Sequence, residues 1–102
     1  MRKYAELEKQ NKKYFAELVD SKEVWEPSIL KCSLVDNKTG NKKTTIFTTS
    51  IDGENKPCLI KQLKRASDKI DVTMLNLAVS VVNYDIPLSN KGIYSDLVKE
   101  VE

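Results

Sequence analysis

Asp36, Glu54 and Lys56 come nearest to reaction machinery in this chain. An Asp at the end of a strand, followed later by Glu-x-Lys (here Glu54-Asn55-Lys56), is the set a metal-dependent nuclease uses. There the carboxylates hold Mg²⁺ and the Lys polarises a phosphate or a water. The context argues against that use. Glu54 and Lys56 fall in a turn-forming stretch just before Pro57 rather than alternating along a strand, and in a chain that is 31% charged such a pattern arises by chance.

The remaining chemical inventory is short. His is absent, which removes the commonest general base, the commonest metal ligand and the one side chain that titrates intrinsically between about pH 5 and 8. His-dependent nucleophiles cannot be built. The three glycines, Gly40, Gly53 and Gly92, form no phosphate-cradling loop, so standard nucleotide enzymes are excluded. Cys32 and Cys58 are too few to hold zinc without His. In a reducing compartment they read as small buried hydrophobes. The expectation is a protein that is not an enzyme, with no catalytic residues, no metal and no cofactor; a metal-dependent nuclease is the minor alternative.

Charge narrows the partners. The chain has 102 residues, a net charge of +2, and Lys at all but two of its basic positions, Arg2 and Arg65. Sequence-specific reading of duplex DNA favours a strongly basic, Arg-bearing domain. The start, MRKYAELEKQNKKYF, has no apolar stretch of the secretory kind, and no apolar run approaches the roughly 18 residues of a spanning helix. A cytoplasmic protein that does not use the membrane is expected. The Lys- and Asn-rich composition suits an AT-rich microbe, its phages or its mobile elements. More than a quarter of the residues are Leu, Ile, Val or Phe, enough for one folded domain.

The elements that would position a site follow from periodicity. Tyr4, Leu7, Asn11, Tyr14 and Leu18 recur at three- and four-residue steps with charge between them, which predicts an amphipathic N-terminal helix within residues 1–20. Tyr4, Asn11 and Leu18 would share one heptad position, an arrangement that can register two helices in a homodimer. Residues 21–102 then form a single α+β domain. ILKCSLV at 29–35 and KTTIFTTSI at 43–51 alternate around the turn DNKTGNK and predict a β-hairpin. CLIKQLKRASDKI predicts a second helix over 57–69. Residues 72–84 read as a strand on their four valines, although a helix there would bury Met74, Leu77, Ala78 and Val81. A short terminal helix follows Gly92. The predicted fold is a small mixed or antiparallel sheet covered by helices in the order α-β-β-α-β-α; the alternative is a small OB-like barrel in which 72–84 and the tail pair as a hairpin.

Two binding functions fit. The first is a small intracellular adaptor or inhibitor acting stoichiometrically on a protein partner through Tyr4, Leu7, Asn11, Tyr14, Phe15 and Trp25, aromatics being the usual interface anchors. The second is a single-stranded nucleic-acid binder, with Phe47 and Tyr84 as stacking platforms and Lys42, Lys43, Lys61, Lys64 and Arg65 as the phosphate track.

Overall fold

The computed structural model describes residues 2–19, 27–49, 55–84 and 92–101. Where the sequence predicts a helix, the chain forms a β-hairpin. Strands β1 (Arg2–Lys9) and β2 (Lys12–Val19) pair antiparallel from Arg2↔Val19 to Lys9↔Lys12. The turn explains this: Gln10 and Asn11 both adopt positive φ, 52° and 62°, the left-handed pair whose twist matches that of two antiparallel strands. Asn tolerates this conformation well. Once the turn forms, the helical spacing dissolves. Leu7, Tyr14 and Leu18 point to one face, Tyr4 points to the other, and Asn11 is in the turn.

The second hairpin forms as predicted. Strands β3 (Ile29–Asp36) and β4 (Lys42–Thr48) flank a turn in which the Asp36 carboxylate accepts the Lys38 N–H at 2.9 Å and the Asp36 carbonyl accepts the Gly40 N–H at 2.7 Å. Gly40 has φ 76°, a value that suits glycine. The two turns are tied together, since the Asn37 N–H donates to the Asn11 carbonyl at 2.9 Å.

Two further predictions are corrected. Residues 72–84 are not a strand: α2 (Val72–Val82) is a helix whose N-cap Asp71 accepts the Thr73 N–H at 2.8 Å. The cap and an apolar stripe override the β-preference of the valines. Met74, Leu77, Ala78 and Val81 are all buried, as the helical option requires. The tail is not a helix either. It makes a 3₁₀ turn (Ser95–Leu97) and a short strand, β5 (Lys99–Val101), that pairs antiparallel with β1. Helix α1 (Asn55–Arg65) falls close to its predicted span. The element order is therefore β-β-β-β-α-α-β, and the single sheet runs β4-β3-β2-β1-β5 with antiparallel pairing throughout. With β4 and β5 at its two edges the sheet is open, which overturns both the helix-first order and the small barrel.

Both helices lie on one face. Ala5, Ala16 and Cys32 stand opposite one another across β1, β2 and β3, and this row of small side chains lets α2 approach the sheet closely. Leu18, Leu30 and Phe47 close the core from the sheet side, with Leu59 and Leu63 of α1 and Leu77, Ala78 and Val81 of α2 above them. The tail is pinned to α2: the Tyr94 N–H donates to Ser80 Oγ at 3.1 Å, while that hydroxyl donates to the Asn76 carbonyl at 2.8 Å. Gly92 fits there because a Cβ would stand 2.2 Å from Ser80 Oγ and 2.7 Å from Ser80 Cα. Among the described residues no helix is long and apolar enough to cross a membrane.

Candidate functional site

The helices cover one side of the sheet, and no described element covers the other. The strand registers place four side-chain rows on that open face, running from β1 to β4. They are Arg2-Val19-Ile29-Thr48, Tyr4-Glu17-Lys31-Ile46, Glu6-Phe15-Ser33-Thr44 and Glu8-Lys13-Val35-Lys42. From β5, Val101 extends the first row and Lys99 the second. The face is therefore part apolar, part charged and wide.

Its centre is ordered by its own contacts. Tyr4 and Phe15 are diagonal neighbours across β1 and β2, with ring centroids 6.2 Å apart and planes tilted by 34°, a separation at which aromatic pairs attract. The Arg2 guanidinium sits over the Tyr4 ring, 4.7 Å from its centroid, and also pairs with Glu17. Guanidinium, phenol ring and carboxylate thus hold one another in place without help from the core. Around them Val19, Ile29 and Val101 are each about 40% exposed and Ile46 is 59% exposed, far more than core residues of their kind. A shallow concavity of about 620 Å³ lies on this face, lined by Phe15 and Val35, by Glu6, Glu8 and Lys13 on one side, and by Lys31 and Lys42 on the other.

The predicted partner-binding residues divide between the two faces. Tyr4 and Phe15 come together on the open face. Leu7 and Tyr14 lie on the helix side, where Tyr14 is 2% exposed. Burial raises the Tyr14 pKa, and the neighbouring Asp71 carboxylate raises it further. Asn11 is in the β1–β2 turn. Trp25 lies outside the described residues, as does Glu54 of the nuclease pattern, while the Asp36 carboxylate is engaged in its own turn.

The predicted nucleic-acid set is also dispersed. Phe47 is buried in the core and Tyr84 is half-buried beyond the end of α2. Lys61, Lys64 and Arg65 are exposed on α1, on the helix side of the sheet. Lys42 is on the open face, whereas Lys43 points to the helix side. Among the described residues, no stretch of surface joins all five of these cations to two exposed aromatic rings.

Sequence reasoning missed Arg2, Glu17, Val19, Ile29, Lys31 and Ile46 as members of one surface. The signal was present: in YAEL and YFAEL, Ala5 and Leu7, and Tyr14, Ala16 and Leu18, alternate with Tyr4 and Glu6, and with Phe15 and Glu17, a two-residue period masked by the stronger three- and four-residue one.

Among the described residues no cluster of His, Cys, Asp and Glu could hold a metal ion. Burial pushes the Cys32 thiol up to about 12, so it stays protonated and unreactive at neutral pH. Comparison of the chain with models of known protein families, with curated proteins and with solved structures finds no match.

Proposed function

We propose that the chain is a non-enzymatic intracellular binding protein that acts stoichiometrically on a protein partner through the open face of its sheet. The observation that carries this reading is the composition of that face. An ordered Tyr4–Phe15 pair is ringed by exposed Val19, Ile29, Ile46 and Val101 and framed by charges of both signs. Aromatic and Arg anchors with a mixed polar rim are what protein interfaces select, and exposed aliphatic side chains on one contiguous surface favour covering by another apolar surface.

A single-stranded nucleic acid fits the same face less well. Glu6 stands beside Phe15 and Glu17 beside Tyr4 in the strand registers, so bases stacked on those rings would bring phosphates toward carboxylates, and phosphate attraction supplies most of the affinity in such complexes.

The test is affinity capture with the full chain and two variants. In one, Phe15→Asp with Ile46→Asp breaks the open face; in the other, Lys61→Glu with Lys64→Glu reverses the charge of α1. A bound protein retained by the helix variant and lost by the sheet variant supports the reading. The opposite pattern refutes it. Capture of a labelled oligonucleotide that weakens steeply with salt and is lost in the sheet variant would transfer the face to nucleic acid.

A further inference from the structure

Two sets of charges on the open face, Glu8 with Lys42 and Glu17 with Lys31, are placed so that they complement each other about a two-fold axis. On β1 the exposed carboxylates are Glu6 and Glu8; across the sheet Lys31 on β3 and Lys42 on β4 have no acidic neighbour on their own strands' open side. Carboxylates Glu6 and Glu8 lie toward the β1 side and Lys31 and Lys42 toward the β4 side, while Arg2, Lys13 and Lys99 also stand on or beside the β1 side and Glu17 neighbours Lys31. We propose, resting on the docking role assigned to this face above, that its occupant is a second copy of the same chain. The two copies would pack face to face about a two-fold axis that runs parallel to the strands between β2 and β3.

The strand registers allow the packing to be worked out row by row. That axis lays β1 of one protomer over β4 of its partner, and β2 over β3. Glu8 then meets the partner's Lys42, and Glu17 meets the partner's Lys31. Val19 packs on the partner's Ile29, Tyr4 on the partner's Ile46, and Phe15 over the partner's Ser33. Because the interface is isologous, each contact occurs twice. No like charges meet among these four strands, and Val19, Ile29 and Ile46 find apolar partners. The other face-to-face two-fold, perpendicular to the strands, would set Glu17 on the partner's Phe15 and Lys13 on the partner's Val19, burying charges against apolar groups. The first packing also sets Lys13 on the partner's Val35, but it makes two kinds of opposite-charge contact where the second makes one, Arg2 with the partner's Glu8, and it leaves Glu17 paired, so the charge pattern favours the first.

The area sets the strength. Four strands about 4.8 Å apart and eight residues long at about 3.4 Å each present about 500 Å² per protomer, so the contact buries about 1,000 Å² in total, the lower limit for a specific interface. A contact at that limit is a weak one, so association is expected only at micromolar concentrations or above, and aligned sheets of this kind pack about 10 Å apart.

Sedimentation of the full chain between about 1 and 200 µM tests this. The expected result is a mass rising toward twice the 11.6 kDa of the chain. Ile46→Asp, Glu8→Lys and Lys42→Glu should each weaken association by at least tenfold, with the circular dichroism of the wild type retained. The Glu8→Lys and Lys42→Glu proteins, each weak alone, should associate when mixed in equal amounts, because the reversed charges are again opposite across the axis. A chain that stays monomeric at 200 µM overturns the second-copy assignment but not the docking reading, which the capture experiment decides separately. A dimer indifferent to all three substitutions, or no recovery on mixing, also overturns it.

Discussion

The turn between β1 and β2 decides whether the open face exists, because Tyr4 and Phe15 share a surface only if residues 2–19 form a hairpin. Gln10 and Asn11 both adopt left-handed φ. For an ordinary L-residue that conformation costs about 1–2 kcal/mol, whereas Gly adopts it freely but loses about 0.5–1 kcal/mol more chain entropy on folding. Replacing the pair by the favoured Asn-Gly (Gln10→Asn with Asn11→Gly) should therefore stabilise the protein by about 1 kcal/mol, or about 4–8 °C in Tm for a domain of this size. Asn11→Ala should destabilise it by about 1 kcal/mol, since Ala tolerates left-handed backbone less well than Asn. Both side chains are exposed, and the nearby hydrogen bond from the Asn37 N–H is to the Asn11 main-chain carbonyl, so burial and partner loss do not confuse the comparison. In the amphipathic helix that the spacing predicts, both signs reverse: Ala is the best helix former, and mid-helix Gly costs about 1 kcal/mol relative to it. Urea denaturation followed by circular dichroism, with the slope against denaturant unchanged, measures the effect. An Asn11→Ala protein more stable than wild type, or an Asn-Gly protein less stable, would refute the hairpin and with it the site.

Three other measurements bear on the structure. Gly92→Ala forces a methyl group against Ser80, including its Cα at 2.7 Å, and should cost about 1–3 kcal/mol in thermal or urea unfolding; a neutral result would show that the tail does not lie against α2. Asp71→Ala removes the α2 cap and should cost about 1 kcal/mol, while Asp71→Asn, which keeps an accepting oxygen, should recover most of that stability. Cys32 should resist a disulfide reagent at pH 8 until the protein unfolds. Burial pushes its folded pKa up to about 12, above the ordinary value of a thiol, so the folded state holds the proton more tightly than the unfolded chain does. Stability is therefore full below about pH 9 and declines as the pH rises toward 12, and Cys32→Ala should show a shallower alkaline loss. Equal alkaline slopes for the two proteins would count against a buried Cys32.

Much of the molecule was legible from local chemistry. The β3–β4 hairpin is written in alternating β-branched residues around a turn with Gly at its left-handed position, and α1 in an apolar stripe following Pro57. Both patterns are satisfied within about twenty residues, so neighbours along the chain suffice to choose the element. Residues 2–19 were not legible in that way. Tyr4, Leu7, Asn11, Tyr14 and Leu18 satisfy a helical period, Lys3, Ala5, Leu7 and Tyr14, Ala16, Leu18 satisfy a strand period, and the choice falls to β3, which pairs with all eight residues of β2. Residues 72–84 were ambiguous for the same reason. Their valines favour a strand, but the small row of Ala5, Ala16 and Cys32 offers a seat that a helix fills.

Composition alone determined which side-chain chemistry is missing: with no His and three scattered glycines, neither a His-dependent nucleophile nor a glycine-rich phosphate loop can be built. Which surface could recognise anything was decided only in three dimensions. An open face is defined by where the helices go, and both went to the same side. Tyr4 and Phe15, eleven positions apart, became neighbours through strand register, and the charged residues of four strands were brought onto one face by the order β1-β2-β3-β4. Register and layer order are long-range consequences of packing, set by contacts between segments that no local period encodes.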